Sequence, residues 1–197
     1  MKDLASVLQQ NIGNVLTEEL ALGILLSVSG NQNEYINITD IPPEDYGDAV
    51  INVEFLKDCL DEIKPVHAQH WAETESYRHG IALNPNYEYM CNAEAQGRFM
   101  LFTVRVAGRL VGNCMMYLSK STHTQKWVAE EDTIFILPEY RKGRLGIRLI
   151  RYVEDVLLNM GVTEIRVTVK EVNEVGRLLQ HLGYDHTGNQ LTKILQE

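Results

Sequence analysis

The sequence is poor in everything that would staple it or anchor it in a bilayer. Cysteine occurs three times, at Cys59, Cys91 and Cys114, with no C-x-x-C spacing. A disulfide framework or a cysteine zinc knuckle is therefore not expected, and a reducing compartment is the default. No stretch approaches the roughly 20 consecutive apolar residues that a membrane helix requires. The most apolar run, Leu20 to Val28, is short, and the acids Asp3, Glu18 and Glu19 precede it. The first residues also lack the basic start and small-residue cleavage site of a secretory signal, so no membrane partner and a cytoplasmic location are expected. Basic charge is in deficit too: 18 Lys and Arg stand against 27 Asp and Glu, a formal net charge of −9. Holding a nucleic acid by bulk electrostatics needs a positive face, which this balance does not offer. By steering, it favours a cationic or neutral partner over a nucleic acid.

What is present is the material of an ordinary α/β protein. The 197 residues are 45% hydrophobic and 23% charged, enough to bury a core. Residues 1–34 read as an N-terminal helical extension, with Thr17 suited to cap its second helix, and its expected role is packing or an oligomer contact. Residues 35–197 read as the main domain. Tyr35 to Thr39 and Ile51 to Phe55 suggest strands, and Leu56 to Ile63 a helix. Pro65 is expected to stop or kink that helix before another from Val66 to Tyr77, and Gly80 to Asn92 reads as a loop. Phe99 to Val106 and Leu110 to Leu118 form a hairpin about Ala107-Gly108. A strand ends at Pro138, and a helix with an apolar stripe at Ile147, Ile150, Val153, Leu157 and Met160 ends at Gly161. Glu164 to Val169, Asn173 to Leu182 and Leu191 to Leu195 then read as strand, helix and strand. The whole is mixed α/β around one sheet.

Chemistry is concentrated after the strand that ends at Pro138. Arg141, Lys142, Arg144, Arg148 and Arg151 fall within 11 positions, with Gly143 and Gly146 among them and no acid between Tyr140 and Val153. A glycine-containing turn that opens a helix directs backbone N–H groups and the positive end of the helix dipole at one point. This is an anion site suited to phosphate. It has neither the G-K-[ST] ending of a P-loop nor the G-x-G-x-x-G of a dinucleotide fold. With those five basic residues set aside, 13 of the 18 remain against 27 acids, so the chain is an acidic body carrying one basic loop.

Arg141 to Gly146 resembles the [QR]-x-x-G-x-[GA] loop of the GCN5-related N-acetyltransferases (the GNAT superfamily), and Ile136-x-Pro138-Glu139-Tyr140-Arg141 is similar to that family's strand leading into the loop. Asn173 with Leu178-Leu179-x-x-Leu182-Gly183-Tyr184 resembles its second motif. The segment Pro65-Val66-His67-x-x-His70-Trp71-x-Glu73, with Tyr140 to Gly143, is also similar to a bacteriophage-encoded branch, for which the location would be a host cytoplasm or a virion. The resemblance covers roughly residues 50 to 195. It implies a mixed, mostly antiparallel sheet flanked by helices, and acetyl transfer from acetyl-CoA to an amine on a small molecule or peptide. It also implies a phosphate loop of Arg141, Lys142, Gly143, Arg144, Leu145, Gly146 and Ile147, pantetheine along Ile136 and Leu137, and a further cofactor contact at Asn173. Arg144 stands where the family usually has glycine, and Leu179 where many members carry the tyrosine that protonates the leaving thiolate. Tyr184 and His181 are the nearest substitutes.

An ammonium cannot attack a thioester until a base removes its proton. Glu130 and Asp132, two apart on one strand, are expected to share a face, with Asp132 the more desolvated. His67, His70 and Glu73 lie at i, i+3 and i+6 on one helix, a spacing that suits a metal shell or an acceptor pocket; no metal is assigned. Two other functions fit the same pattern. One is a non-catalytic partner-binding module of a phage; the other is a metal-dependent nucleobase-modifying enzyme on the same scaffold.

Overall fold

The computed structural model describes residues 4–17, 20, 21, 24, 40–76, 80, 82–170, 172 and 175–193. The chain divides into two compact units, Met1–Asn37 and Ile38–Glu197. In the first, helix α1 spans Leu4–Gln10. Thr17 Oγ1 accepts from the Leu20 N–H at 3.1 Å, the contact of a capping residue. The strand expected at Tyr35 to Thr39 lies outside the described residues.

The second unit is a six-stranded sheet in the order β1-β2-β3-β4-β5-β6. Strands β1 (Glu44–Tyr46) and β2 (Ala49–Glu54) form a hairpin turned at Gly47. Helices α2 (Leu56–Thr74) and α3 (Tyr87–Ala95) follow. Strands β3 (Phe99–Val106), β4 (Arg109–Lys120) and β5 (Trp127–Ile136) pair antiparallel in succession. Helix α4 (Leu145–Asn159) crosses over to β6 (Val162–Arg166), which lies parallel to β5, and α5 (Val175–His181) comes last. The expected mixed, mostly antiparallel sheet with flanking helices is the observed fold.

Directly opposed residues on neighbouring strands share a face. Asn113 opposes Phe135, and Phe135 meets His70 of α2, so α2 covers that face. Cys114 opposes Phe102, whose ring meets Tyr152 of α4 edge-on, so α4 covers the other. Phe99, Phe102, Leu101, Met115, Leu149 and Leu157 are fully buried between the layers.

Four local expectations are corrected. Pro65 neither stops nor breaks α2, which runs unbroken through it, because Cys59, Ile63, Val66 and His67 bury one continuous stripe that outweighs the lost backbone bond. The Gly80 to Asn92 loop gives way to α3 from Tyr87, because the Asn86 side chain accepts from the Tyr89 N–H at 2.9 Å and caps a helix instead of closing a turn. In α4 the stripe is Leu145, Leu149, Val153 and Leu157 with Ile150, and Ile147 is only half-buried. Residues 191–193 of the expected last strand join no sheet, and 194–195 lie outside the described residues. Among the described residues no helix is long and apolar enough to cross a membrane.

Candidate active site

Strands β5 and β6 part company halfway. Their parallel pairing runs from Trp127↔Val162 to Glu130↔Arg166 and stops, while β5 continues to Ile136. A cleft of about 190 Å³ opens at the divergence. His70, Thr74 and Glu75 from the end of α2 line it, with Glu131, Asp132 and Ile134 of β5 and the segment Val167 to Lys170 after β6.

A β-bulge decides which acids enter it. Met116 opposes Glu131 and Met115 opposes Thr133, so Asp132 is the extra residue that β4 does not match. Alternation fails at that point, and Glu130 and Asp132 do not behave as a pair on one face. Glu131 and Asp132 line the cleft, while Glu130 is exposed and does not. Glu131 is the more perturbed acid. Burial pushes its carboxyl up to about 7, the Asp132 charge adds to that, and a bond from the Thr168 N–H and the Lys170 charge oppose it. Burial also raises Asp132. Across the cleft Lys170 pairs with Glu75 at 2.7 Å. Burial lowers the pKa of His70 and keeps its imidazole neutral at pH 7.

At the far end of β5 the chain turns through a short 3₁₀ segment, Pro138–Tyr140, into α4. Gly143 takes the left-handed conformation, φ +63°, which shows why glycine stands one place before the usual position and Arg144 can follow it. Among the described residues, the first backbone amide after this turn with an intramolecular acceptor is that of Arg148, which bonds to Arg144 O at 2.9 Å. The amides of Gly143, Arg144, Leu145, Gly146 and Ile147 are thus left for a ligand. A Cβ added at Gly146 would meet nothing within 4 Å.

The basic cluster is less free than its sequence suggests. Arg148 pairs with Glu44 at 2.7 Å and Arg151 with Glu154 at 2.7 Å. Arg141 binds Glu73 through both terminal nitrogens, at 2.7 and 2.8 Å. Lys142 and Arg144 are exposed and keep the positive charge at the turn. Leu137 N–H bonds to Val111 O on the β4 side at 2.8 Å. By alternation Ile136 and Ile134 turn their peptide groups to the opposite, open edge. Arg141 Nε already bonds to the Ile136 carbonyl at 2.7 Å, leaving that residue's N–H.

Of the other named residues, His70 lines the cleft, while Tyr184, His181, His67 and Glu73 do not. Tyr184 bonds to Glu154 of α4, and burial raises its phenol. His181 is exposed at the end of α5. Asn173 lies outside the described residues. His67, His70 and Glu73 go to three different partners: Tyr87 OH at 3.1 Å, the Phe135 ring and Arg141. Among the described residues no three His, Cys, Asp or Glu side chains converge as a metal shell would. Sequence reasoning missed Glu131, Glu75 and Lys170. Nothing in the alternation marks Glu131, because the bulge that turns it inward has no signature of its own.

The sheet is thus splayed between β5, which leads into a turn of free amides, and its parallel neighbour β6. The chain belongs to the acetyltransferase (GNAT) family, whose model matches residues 59–184; acetyltransferases of this family use acetyl-CoA. Over 128 residues it is 28% identical to the mouse thialysine N-epsilon-acetyltransferase, covering 59% of this chain and 72% of that one. Its fold is shared with an aminoglycoside acetyltransferase from an uncultured soil metagenomic sample, solved with sisomicin (TM-score 0.58, 14% identity, 76% of this chain and 96% of that one). It is shared as well with a ribosomal-protein-alanine N-acetyltransferase from Brucella melitensis (TM-score 0.58, 19% identity, 76% and 99%). A predicted acetyltransferase from Clostridium acetobutylicum with acetyl-CoA is similar to the same degree (TM-score 0.58, 13% identity, 74% and 96%).

Proposed function

We propose that this chain transfers an acetyl group from acetyl-CoA to an amine that is cationic in solution, with Glu131 as the base. The observation that carries the reading is the cleft at the β5–β6 divergence, with Glu131 and Asp132 in its lining and a turn of free amides at the other end of the same strand. From Glu131 to Ile136 is five residues, roughly 16 Å of extended strand, a distance suited to an extended arm between a phosphate and a thioester.

The residues fit that ligand. The amides of Gly143 to Ile147, with Lys142 and Arg144, would hold the pyrophosphate, and the open peptide edge at Ile134 and Ile136 would hold the pantetheine arm beside Leu137. When bound, acetyl-CoA supplies the activated acyl carbon. Glu131 then removes a proton from the incoming ammonium, and a carboxyl near 7 is about half ionised where it is needed. Asp132 attracts the cationic acceptor and orients it. Tyr184 is retained as the group that protonates the leaving thiolate, and Tyr184→Phe lowering turnover is the check on it; exposed His181 is the weaker choice. Asn173 remains a proposed cofactor contact. The acids Glu131, Asp132 and Glu75 outnumber Lys170 around the cleft, which supports a polyamine, an aminoglycoside or a lysine-type amine over an acidic acceptor.

The test is a thermal melt with acetyl-CoA, followed by thiol release with a panel of amines. A ligand at 100 times its Kd adds about 2.7 kcal/mol, a shift of several degrees. Absence of any shift at millimolar acetyl-CoA would overturn the reading. A shift with no turnover on any amine would instead support the non-catalytic, partner-binding alternative.

A further inference from the structure

Arg141 sits at the first position of the phosphate turn, and its side chain is held by groups outside the turn. Its guanidinium meets both oxygens of Glu73 on α2 at 2.7 and 2.8 Å, its Nε meets Ile136 O at 2.7 Å, and its plane lies over Phe135 at 4.8 Å. A planar fork held at both ends and on one face has little freedom left. On the other side of Glu73, α2 continues directly into the cleft: His70 lies one turn before it, and Thr74 and Glu75 immediately after, all three in the lining. Phe135 closes the circuit, since the ring under Arg141 also meets His70 at 5.1 Å. A residue 68 positions away in the chain therefore ties the phosphate turn to the wall where the acceptor would enter.

We infer that Glu73 is a positioning residue, acting through Arg141, that sets the phosphate turn for acetyl-CoA and transmits its occupancy to the His70 end of α2. The inference rests on the reading of the turn as the acetyl-CoA site. Both partners are about 40% exposed (side-chain exposures of 40% for Arg141 and 37% for Glu73). A pair at that exposure contributes little to stability, so its removal reads out in binding and not in folding. In this arrangement Arg141 is engaged by Glu73 and Ile136 O, and so fixes the backbone from which the amides project.

The experiment compares the parent with Glu73→Gln and Glu73→Asp on the full chain. Acetyl-CoA affinity is read by calorimetry, melting temperature in parallel, and the His70 ring by NMR before and after acetyl-CoA is added. In the parent, acetyl-CoA moves the His70 resonances. In E73Q the melting temperature stays within about two degrees, the Kd rises tenfold or more, and the His70 response to acetyl-CoA shrinks. E73D, which keeps the charge on a shorter arm, recovers part of both. A parent that binds no acetyl-CoA overturns the function itself. A parent that binds, beside an E73Q with unchanged Kd and an unchanged His70 response, overturns the positioning role alone. An E73Q that loses only stability assigns the pair a structural role and overturns it as well.

Discussion

Glu131 and Thr168 meet across the gap that opens between β5 and β6: the Thr168 N–H donates to Glu131 Oε2 at 3.3 Å. The strands have already stopped pairing at Glu130↔Arg166, so a side chain takes the place of the next backbone bond. One carboxylate oxygen of a cleft-lining acid is thereby held.

Glu131→Gln is expected to reduce turnover about 100-fold or more, within the range for loss of a general base. The parent rate should rise with pH through about 7, as the carboxyl loses its proton, and level off above. That limb should vanish in E131Q, while Glu130→Gln, altering an exposed acid outside the cleft, should keep both the rate and the limb. Thiol release measured from pH 5.5 to 9 separates them. A full limb in E131Q would remove Glu131 from the mechanism.

Gly146→Ala should leave the fold intact, because its Cβ meets nothing within 4 Å and alanine suits a helix better than glycine. The [GA] ending of the loop pattern also admits alanine at this position. The expected result is an unchanged or slightly raised melting temperature with acetyl-CoA affinity retained; a several-fold loss of affinity by calorimetry would contradict it. Gly143→Ala should lose both, since φ +63° there costs a residue with a Cβ roughly 1 kcal/mol.

How far the sequence could be read follows the range of the interaction concerned. The β3–β4 hairpin and helix α4 rest on local periodicity and turn residues, and both were legible. So was the turn into α4, whose glycines and helix start are contiguous. The partners of its basic residues were not: Arg141 finds Glu73 and Arg148 finds Glu44, 68 and 104 positions away, so a cluster that reads as five free cations keeps Lys142 and Arg144 for a ligand. The bulge at Asp132 was equally hidden, because it depends on the register with β4 and not on any residue of β5. Alternation alone selected Glu130 and Asp132 and passed over Glu131.

Two buried groups should offset each other in acid. His67 is held down to about 4, first by burial and then by the His70 charge. Its folded pKa lies below the ordinary 6.5, so its contribution is complete above about 6.5 and lost as pH falls toward 4, a change of about 3 kcal/mol. Glu131 works with the opposite sign: its carboxyl rises from 4.5 to about 7, so the fold favours its protonated form and gains stability as pH falls through the same window. Relative to the parent, E131Q should lose stability toward pH 4.5, and His67→Gln should gain it. Urea midpoints at pH 7.5, 6 and 5 test this; parallel profiles for all three proteins would contradict it.

Gly112→Ala probes the joint between the sheet and the turn. Gly112 opposes Ile136, and a Cβ there would stand 2.8 Å from Phe135 O and 2.9 Å from Ile136 Cγ1. A carbonyl oxygen in a ladder cannot yield without moving its strand, so the substitution must push the end of β5 away from β4, at a cost of about 1–3 kcal/mol. The displaced residue is the one whose carbonyl Arg141 holds, and the disturbance should pass into the phosphate turn. G112A is therefore expected to lose melting temperature and acetyl-CoA affinity together, where G146A keeps both. If G112A melts with the parent and binds acetyl-CoA as well, β4 and β5 separate without consequence at this point. The close approach at Gly112 would then play no part in setting the turn.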